Sequence, residues 1–195
     1  MKNWKYKTPG IPDEFFVRGE VPMTKEEIRS VILSKLKLKD RLTVYDIGAG
    51  TGSISIEISF QLKEGKIYAV EKEEKAVNLI EKNKKVFNRK NIEIIKGVAP
   101  DVLKNLPSVN RVFIGGSNGN LKEILDIVDQ KLLKNGIIVI TAVTLNTLNS
   151  AITHLERLDY DLNICNIAVT RTKKIKNYHM LNALNPIYII TDNVK

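Results

Sequence analysis

The stretch "VYDIGAGTGS", residues 44–53, places three glycines at alternate positions directly after an apolar, strand-like run. Gly48, Gly50 and Gly52 carry no Cβ, so the backbone can turn tightly here and come close to other atoms. In a doubly wound sheet, ligands bind at the carboxyl ends of the parallel strands. A plain strand-to-helix turn rarely needs this many glycines, and the stretch therefore predicts a ligand-binding loop.

The rest of the chain alternates strand and helix patterns around this loop. Strands are predicted at 41–47, 66–71, 92–97, 111–116 and 136–142, and helices at 23–36, 53–62, 73–87, 121–133 and 144–158. Such alternation predicts a parallel sheet with helices on both faces. Two further strands, 162–169 and 186–192, are predicted to pair antiparallel across a long loop, 170–185.

These patterns predict an α/β fold, a doubly wound and mainly parallel seven-stranded sheet that ends in a C-terminal antiparallel hairpin. We expect one domain over residues 1–195, with 1–22 as an irregular, proline-containing N-terminal arm. Thr24 is followed three residues later by Glu27, which is a capping-box spacing. It predicts that Thr24 caps the first helix.

Charge and composition limit the setting and the partners. Lys and Arg number 31 against 22 Asp and Glu, a formal charge of +9 that favours an anionic partner such as nucleic acid, acidic lipid or a polyanionic small molecule. The longest apolar run, 136–143, is too short to cross a membrane. With no signal-like N-terminus and one cysteine, Cys165, we expect a cytoplasmic protein without a membrane partner. Cysteine and histidine spacings predict no metal site.

The glycine spacing and two carboxylates favour one class of ligand. A dinucleotide fingerprint is G-x-G-x-x-G, whereas this loop reads G-x-G-x-G with Ser53 following. Asp46 at the strand end would repel a pyrophosphate but suits the ammonium and sulfonium of S-adenosylmethionine. Glu71 ends the second strand, where an acid accepts hydrogen bonds from ribose hydroxyls of either ligand. The loop therefore predicts S-adenosylmethionine as cofactor, and the pattern resembles the Rossmann-like class I methyltransferases that use it.

A closer resemblance extends over nearly the whole chain. The stretches that carry it, in order, are "GIPDEFF" (10–16), "VPMTKEEIR" (21–29), "DIGAGTGSISIE" (46–57), "GVAPDVL" (97–103), "VFIGGSNGNLKEIL" (112–125), "TAVTLNTL" (141–148) and "HMLNALNPIYII" (179–190). Together they resemble the decarboxylating cobalt-precorrin-6B C15-methyltransferases of anaerobic cobalamin biosynthesis. The resemblance implies methylation of C15, removal of carbon dioxide from the C12 acetate and a cytoplasmic homotetramer. It also implies a polyanionic tetrapyrrole substrate rather than a nucleic acid.

The resemblance also implies which residues contact the cofactor. Positions that match the family's cofactor-binding residues are Thr24, Gly48, Ala49, Gly50, Thr51, Gly52, Glu71 and Ala99. Val98 departs from the family, which usually has Asp there, so a carboxylate that could accept from the adenine amino group is missing. Thr141 stands where Asn is frequent.

Substrate contacts are predicted outside the glycine loop. Ser117 and Asn118, in "GGSNG", lie after the fourth strand and suit hydrogen bonds to substrate, although a simple connecting loop explains them equally well. We hypothesise that Arg171, Lys173 and Lys174 bind substrate carboxylates, against the alternative of a solvated basic loop. His179 is a candidate with a weaker basis, and His154 is expected on a helix surface. No catalytic residue is assigned.

Three other functions stay open on the sequence alone. The basic charge also permits an RNA methyltransferase, although no separate RNA-binding module and no N-P-P-Y-type tetrad is visible. A non-catalytic S-adenosylmethionine-binding module would keep the same loop. An NAD-linked oxidoreductase is disfavoured by the glycine spacing and by the carboxylate.

Overall fold

A computed structural model of the protein describes residues 4–192, so the ends of the predicted arm and domain, 1–3 and 193–195, lie outside the described residues. The helices are α1 (Glu26–Leu36), α2 (Ser53–Gln61), α3 (Glu74–Val86), α4 (Leu121–Lys131) and α5 (Leu145–Arg157). The strands are β1 (Thr43–Ile47), β2 (Lys66–Glu71), β3 (Ile92–Lys96), β4 (Val109–Ile114), β5 (Leu132–Ala142), β6 (Leu162–Ile167), β7 (Thr170–Ile175), β8 (Tyr178–Ala183) and β9 (Ile187–Asp192). Short 3-10 helices lie at Asp13–Phe15 and Asp101–Asn105.

The main sheet has seven strands in the order β3-β2-β1-β4-β5-β9-β6. Strands β1 to β5 pair in parallel, whereas β9 runs antiparallel to both β5 and β6. This confirms the predicted fold class, including the antiparallel pairing of the last two strands. The chain reverses its direction of travel across the sheet between β1 and β4, which is the switch point where ligands bind in such folds.

Two apolar layers cover the faces of the sheet. Ile28, Ile32 and Leu36 of α1 pack with α2 on one face, while Ile124 and Val128 of α4 pack with α5 on the other. Helix α2 follows the glycine loop although its sequence alternates like a strand. Its residues from Ser53 to Ser59 are all buried, so a one-sided helical pattern is not required.

The predicted loop at 170–185 is wrong, because β7 and β8 form a hairpin that is separate from the main sheet. Leu184 N–H donates to the Val169 carbonyl at 2.9 Å and closes its base. Nearly every residue of both strands is exposed. The alternation of buried and exposed side chains that marks a strand in sequence is therefore missing here.

Two local predictions about polar residues are also wrong. Helix α1 begins at Glu26 with Lys25 as N-cap, and no side chain bonds the cap, so the capping box of Thr24 does not form. His154, expected on a helix surface, is only 4% exposed, and its Nε2 lies 2.8 Å from Asp126 Oδ1. Its ring bridges α5 and α4, which is a structural role. None of the described helices combines the length and the apolar character that a membrane span requires.

Candidate active site

A cavity of about 510 Å³ opens at the carboxyl edge of the sheet. This volume is in the range of sites for small molecules. The loops after β1 to β5 and the segment before α1 surround it. Of the predicted site residues, those that line it are Thr24, Gly48, Ala49, Gly50, Thr51, Glu71, Ala99, Ser117 and Asn118.

The glycines of the loop meet two different demands. Gly48 has φ of +73°, and a Cβ there would lie 2.5–2.8 Å from backbone atoms of Gly116 in the loop after β4. Gly52, the N-cap of α2, has φ of +74° and faces the Ile80 side chain instead of the cavity. Gly50 has φ of +57° and lines the cavity, and a Cβ there would make only ordinary contacts, the nearest with the Pro22 carbonyl oxygen at 3.5 Å. The loop is therefore shaped partly by its neighbours in the protein and partly by the open space of the cavity.

Glu71 fixes this loop from the end of β2. Its Oε2 accepts from Gly50 N–H at 2.9 Å, and its Oε1 accepts from the N–H groups of Lys72 at 2.8 Å and Glu73 at 2.9 Å. A carboxylate offers about four acceptor positions, so one remains free, on Oε2. Because Glu71 is 9% exposed and lines the cavity, that position is open to a ligand hydroxyl.

Asp46 does not line the cavity, contrary to the expectation that its carboxylate faces the ligand. It is wholly buried, and its Oδ2 accepts from the Ser55 hydroxyl of α2. Oδ1 has no hydrogen-bond partner among the described residues. Burial, and to a smaller degree the charge of Glu71, raises the pKa of Asp46 to about 6. Any influence of Asp46 on a bound cation must therefore be electrostatic and act across the loop, without direct contact.

The segment before α1, which also lines the cavity, depends on Arg29, a wholly buried residue. Its Nε lies 2.6 Å from Glu57 Oε1, and its Nη1 lies 2.8 Å from Asp13 Oδ1. Its guanidinium also donates to the carbonyls of Thr24 and Ile11. Arg29 thus joins the N-terminal arm, α1 and α2, and it holds Thr24 at the cavity by the backbone.

Arg171 extends this set of ion pairs to the hairpin. Its Nε and Nη2 donate to the two oxygens of Glu27 at 2.8 and 2.6 Å, and its Nη1 donates to Asp13 Oδ2 at 3.0 Å. The hydrogen bonds from Arg171 lower the pKa of Glu27. Burial works against the ionised form of Asp13, but the bonds and charges of Arg29 and Arg171 outweigh it and lower that pKa. The Arg171 guanidinium is therefore paired within the protein. This residue, which was predicted to contact the substrate, also has a structural role.

The other predicted substrate residues divide into two places. Ser117 and Asn118 line the cavity, and Asn118 has a positive φ of 52° in the turn before α4. Lys173, Lys174 and His179 lie on the hairpin, are exposed, and are not part of the cavity wall. Lys174 and His179 face each other across the two strands.

Some residues in or next to the cavity were given no role by sequence reasoning. Asn120 donates from Nδ2 to the Ala99 carbonyl at 3.1 Å and so connects the loops after β3 and β4. Val98 is 42% exposed and lines the cavity. It brings an apolar side chain to the position where the family usually has Asp. Val143 and Ile187 also line it. Val143 lies one residue after a predicted strand end, and this position in the sequence could have indicated a cavity residue.

Metal chemistry has no support in the described part of the chain. No group of three or more His, Cys, Asp or Glu side chains is arranged there to hold an ion. The site instead combines glycine backbone, one buried carboxylate at a strand end and small polar side chains. Such a set suits the binding of an adenosyl compound by hydrogen bonds.

Comparison with known families identifies relatives over most of the chain. A family model described as "Precorrin methyltransferase domain" matches residues 14–192. A protein of Pyrobaculum calidifontis named "Probable cobalt-precorrin-6B C(15)-methyltransferase (decarboxylating)" is 43% identical over 96% of this chain and 97% of its own length. A protein of Saccharolobus solfataricus with the same name is 42% identical over 96% of this chain and 97% of its own length.

Solved structures give the same picture. The chain superposes on a precorrin-6y C5,15-methyltransferase from Geobacter metallireducens with a TM-score of 0.91 at 43% identity, covering 95% of this chain and 98% of that one. A precorrin 8W decarboxylase from Methanobacterium thermoautotrophicum gives 0.90 at 30% identity, covering 94% and 100%. A tRNA (m1A58) methyltransferase from Aquifex aeolicus shares the fold alone, with a TM-score of 0.73 at 18% identity, covering 91% and 72%.

Proposed function

The chain belongs to the precorrin methyltransferase family, and we propose that it methylates C15 of cobalt-precorrin-6B and removes carbon dioxide from its C12 acetate. The proposed methyl donor is S-adenosylmethionine. The observation that carries the proposal is the match over nearly the full length to relatives named for this reaction, in a chain whose glycine loop and Glu71 border one cavity. The proposed unit is a single domain over residues 1–195.

The residues around the cavity fit the adenosyl donor. The free acceptor position on Glu71 Oε2 suits a ribose hydroxyl, and the cavity beside Gly48 and Gly50 suits the methionine part. Val98 and Ala99 then flank the adenine, which they contact by apolar atoms and backbone. Thr24 also lines this cavity and is supported through its carbonyl by Arg29. We propose Thr24, Gly48–Gly52, Glu71 and Ala99 as the cofactor-binding set.

The chemistry asks the protein chiefly for alignment. When bound, S-adenosylmethionine supplies an already activated methyl group. Holding an acceptor carbon in line with that group can lower the barrier by about 7–11 kcal/mol. Loss of carbon dioxide leaves an electron pair that the conjugated macrocycle can take up, so the proposal assigns no side chain as a base. Ser117 and Asn118, on the cavity wall, are proposed to orient the substrate.

The substrate's acetate and propionate groups match the basic hairpin. Residues 170–183 contain Arg171, Lys173 and Lys174 and no Asp or Glu. Lys173 is on the same face of β7 as Arg171, about 7 Å further from the base of the hairpin. We propose that Lys173 and Lys174 bind carboxylates and that Arg171, already paired with Glu27 and Asp13, mainly fixes the hairpin. His179 is proposed only as a neighbour of this contact.

The hairpin also supports the proposed homotetramer. Large apolar side chains are exposed on it, from 47% for Ile175 to 77% for Leu181. A two-stranded sheet on its own is marginally stable in water. Contacts with other copies would bury these side chains. Light scattering of the protein tests this: a tetramer that Leu181→Lys converts to smaller species supports it, and a monomeric wild type contradicts it.

Methyl-transfer assays test the main proposal. The protein is incubated with methyl-labelled S-adenosylmethionine and either cobalt-precorrin-6B or bulk RNA, and the label and the released carbon dioxide are measured. We expect methyl label in the corrinoid, release of an equimolar amount of carbon dioxide, and no label in RNA. Glu71→Gln should raise the KM for S-adenosylmethionine, whereas Glu93→Gln, at an exposed salt bridge on β3, should leave it unchanged. Label in RNA alone would overturn the proposal in favour of an RNA methyltransferase.

Two further rivals need separate measurements. A non-catalytic module would bind S-adenosylhomocysteine but transfer no methyl group to any corrinoid. An oxidoreductase would bind NAD, so calorimetry with NAD and with S-adenosylhomocysteine separates the two ligands. We expect heat only with the second. The proposed setting is the cytoplasm, where Cys165 would stay reduced.

A further inference from the structure

Two large apolar side chains stand exposed at the end of β5. Val143 is 70% exposed and Leu145 is 73% exposed. Val143 lines the cavity, and Leu145 begins α5 two residues later. We call these two residues the apolar ledge. Neither is in the two apolar layers that cover the sheet, so fold stability does not explain them.

The ledge is held in a fixed backbone conformation. Between its two members, Thr144 caps α5, and its Oγ1 accepts from Thr147 N–H at 3.1 Å. The same hydroxyl lies 2.9 Å from Thr147 Oγ1. On the other side, Ala142 pairs with Tyr188 of β9. The two exposed side chains are thus presented by a capped helix start and a paired strand end.

The order of strands places the ledge next to both parts of the proposed site. Along the carboxyl edge, Glu71 ends β2, the glycine loop follows β1, Ser117 follows β4, and the ledge follows β5. Beyond β5 come β9 and β6, whose ends carry the hairpin with Lys173 and Lys174. The ledge therefore lies between the side of the cavity assigned to the methyl donor and the basic hairpin.

This arrangement matches an amphiphilic, planar substrate. A tetrapyrrole has apolar faces and carboxylates only at its periphery, and it must contact the methyl donor and the basic hairpin together. We propose that one face of the macrocycle packs on Val143 and Leu145, which thereby help to select this substrate class. The inference rests on the proposed function and extends it to residues that bind the substrate without taking part in the reaction.

Kinetics of polar replacements test the ledge. Val143→Thr and Leu145→Gln keep size while adding polar atoms, and the double variant should raise the KM for cobalt-precorrin-6B roughly ten- to a hundredfold. We expect kcat within about threefold and the dissociation constant of S-adenosylhomocysteine within about twofold, because the reacting groups are untouched. Leu133→Gln is the matched control, since Leu133 is 44% exposed near the start of the same strand, at the opposite edge of the sheet.

A binding probe separates the ledge from the hairpin. A stable porphyrin polycarboxylate is titrated by absorbance against wild type, the ledge variant and Lys173→Gln/Lys174→Gln at low and high salt. Screening weakens exposed charge pairs, so the effect of the lysine variant should shrink with salt. The loss in the ledge variant should persist, because apolar contact is not screened.

The possible outcomes distinguish the ledge from the function on which it rests. If wild type methylates the corrinoid and the ledge variant keeps its KM, the ledge proposal is wrong and the proposed function stands. If the KM rises together with the dissociation constant of S-adenosylhomocysteine, the residues shape the cofactor site and the ledge proposal is likewise wrong. If wild type methylates no corrinoid, both proposals fail.

Discussion

The cavity has two sides that are held together by different forces. The glycine rim, formed by Gly48–Gly52 and Gly115–Gly116 and bound by Glu71, depends on backbone contacts and on hydrogen bonds to one carboxylate. The arginine rim, formed by Thr24 with the ion pairs of Arg29 and Arg171, depends on charged side chains. The first is assembled from short loops at strand ends. The second joins residues up to 158 positions apart.

This difference decides how each rim responds to change. Where two backbone segments touch at a glycine, there is no room for a side chain, so a larger residue disrupts the contact by steric overlap. A buried ion pair fails when one partner is lost, because the remaining charge stays buried without compensation. The two rims should therefore differ in their response to side-chain size, pH and salt, although they border the same cavity.

The largest effect is expected in the glycine rim, from Gly48→Ala. The positive φ alone destabilises by about 1–3 kcal/mol, and overlap with the Gly116 backbone should add about 1–3 kcal/mol. Denaturant unfolding measures the sum. Gly119→Ala is the matched control, since Gly119 also has a positive φ, of +89°, but nothing lies within 4 Å of an added Cβ. Equal losses in both variants would mean that the contact with Gly116 is unimportant.

The arginine rim should respond almost as strongly to Arg29→Met. Removing the guanidinium leaves the buried Glu57 without a cationic partner and leaves Asp13 with Arg171 alone, which should lower the free energy of unfolding by about 3–5 kcal/mol. Thr24 also loses its carbonyl contact, so S-adenosylhomocysteine should bind more weakly to the folded fraction. Lys173→Met, on the exposed hairpin, should change stability by less than about 0.5 kcal/mol. A stable Arg29→Met protein would show that this rim does not need its charges.

A pH titration separates Asp46, two residues before the glycine rim, from Asp13 of the arginine rim. The pKa of Asp46 is raised to about 6 by burial, so the native state holds a proton that the unfolded state releases near pH 4. Its contribution to stability is therefore present below pH 4 and is lost as the pH rises to 6. Asp13 behaves oppositely, since its lowered pKa gives stability that is lost as the pH falls.

Asp46→Asn isolates the first of these two effects. Relative to wild type, the variant should gain about 2–3 kcal/mol in its free energy of unfolding between pH 4 and pH 6, from a pKa shift of about two units. Urea unfolding at closely spaced pH values measures the difference. Ser55→Ala removes the hydroxyl that donates to Oδ2, so the window should extend above pH 6. A difference that stays constant from pH 4 to 7 would contradict the assignment.

The same contrast explains what the sequence could reveal. The glycine rim lies within a local motif, so its residues and the acid Glu71 were found from spacing and strand ends. The parallel sheet followed from strand and helix patterns for the same reason. Arg29 lies beside the apolar residues of α1, and no local sequence pattern predicts its partners, Asp13 in the arm and Glu57 in α2. The hairpin was missed because its strands lack a buried face. The capping box was predicted wrongly, because α1 begins at Glu26 with Lys25, and not Thr24, as its N-cap.

The smallest effect tests the junction between the arginine rim and the hairpin. Arg171→Gln breaks a two-pronged pair with Glu27 in which the side chains are 33% and 37% exposed, so solvent screens it. We expect a loss of about 1 kcal/mol or less, which shrinks at high salt. Glu27→Gln should cause a similar loss of stability, and the double variant should be almost as stable as either single variant.

This cycle also decides between two roles of Arg171. If the guanidinium mainly fixes the hairpin, the KM for the corrinoid should rise equally in Arg171→Gln and Glu27→Gln, because both release the same anchor. If it binds a substrate carboxylate instead, Arg171→Gln should raise the KM, while Glu27→Gln should lower it by freeing the guanidinium. The paired geometry favours the first result, and it would separate the anchor at the base of the hairpin from the lysines beyond it.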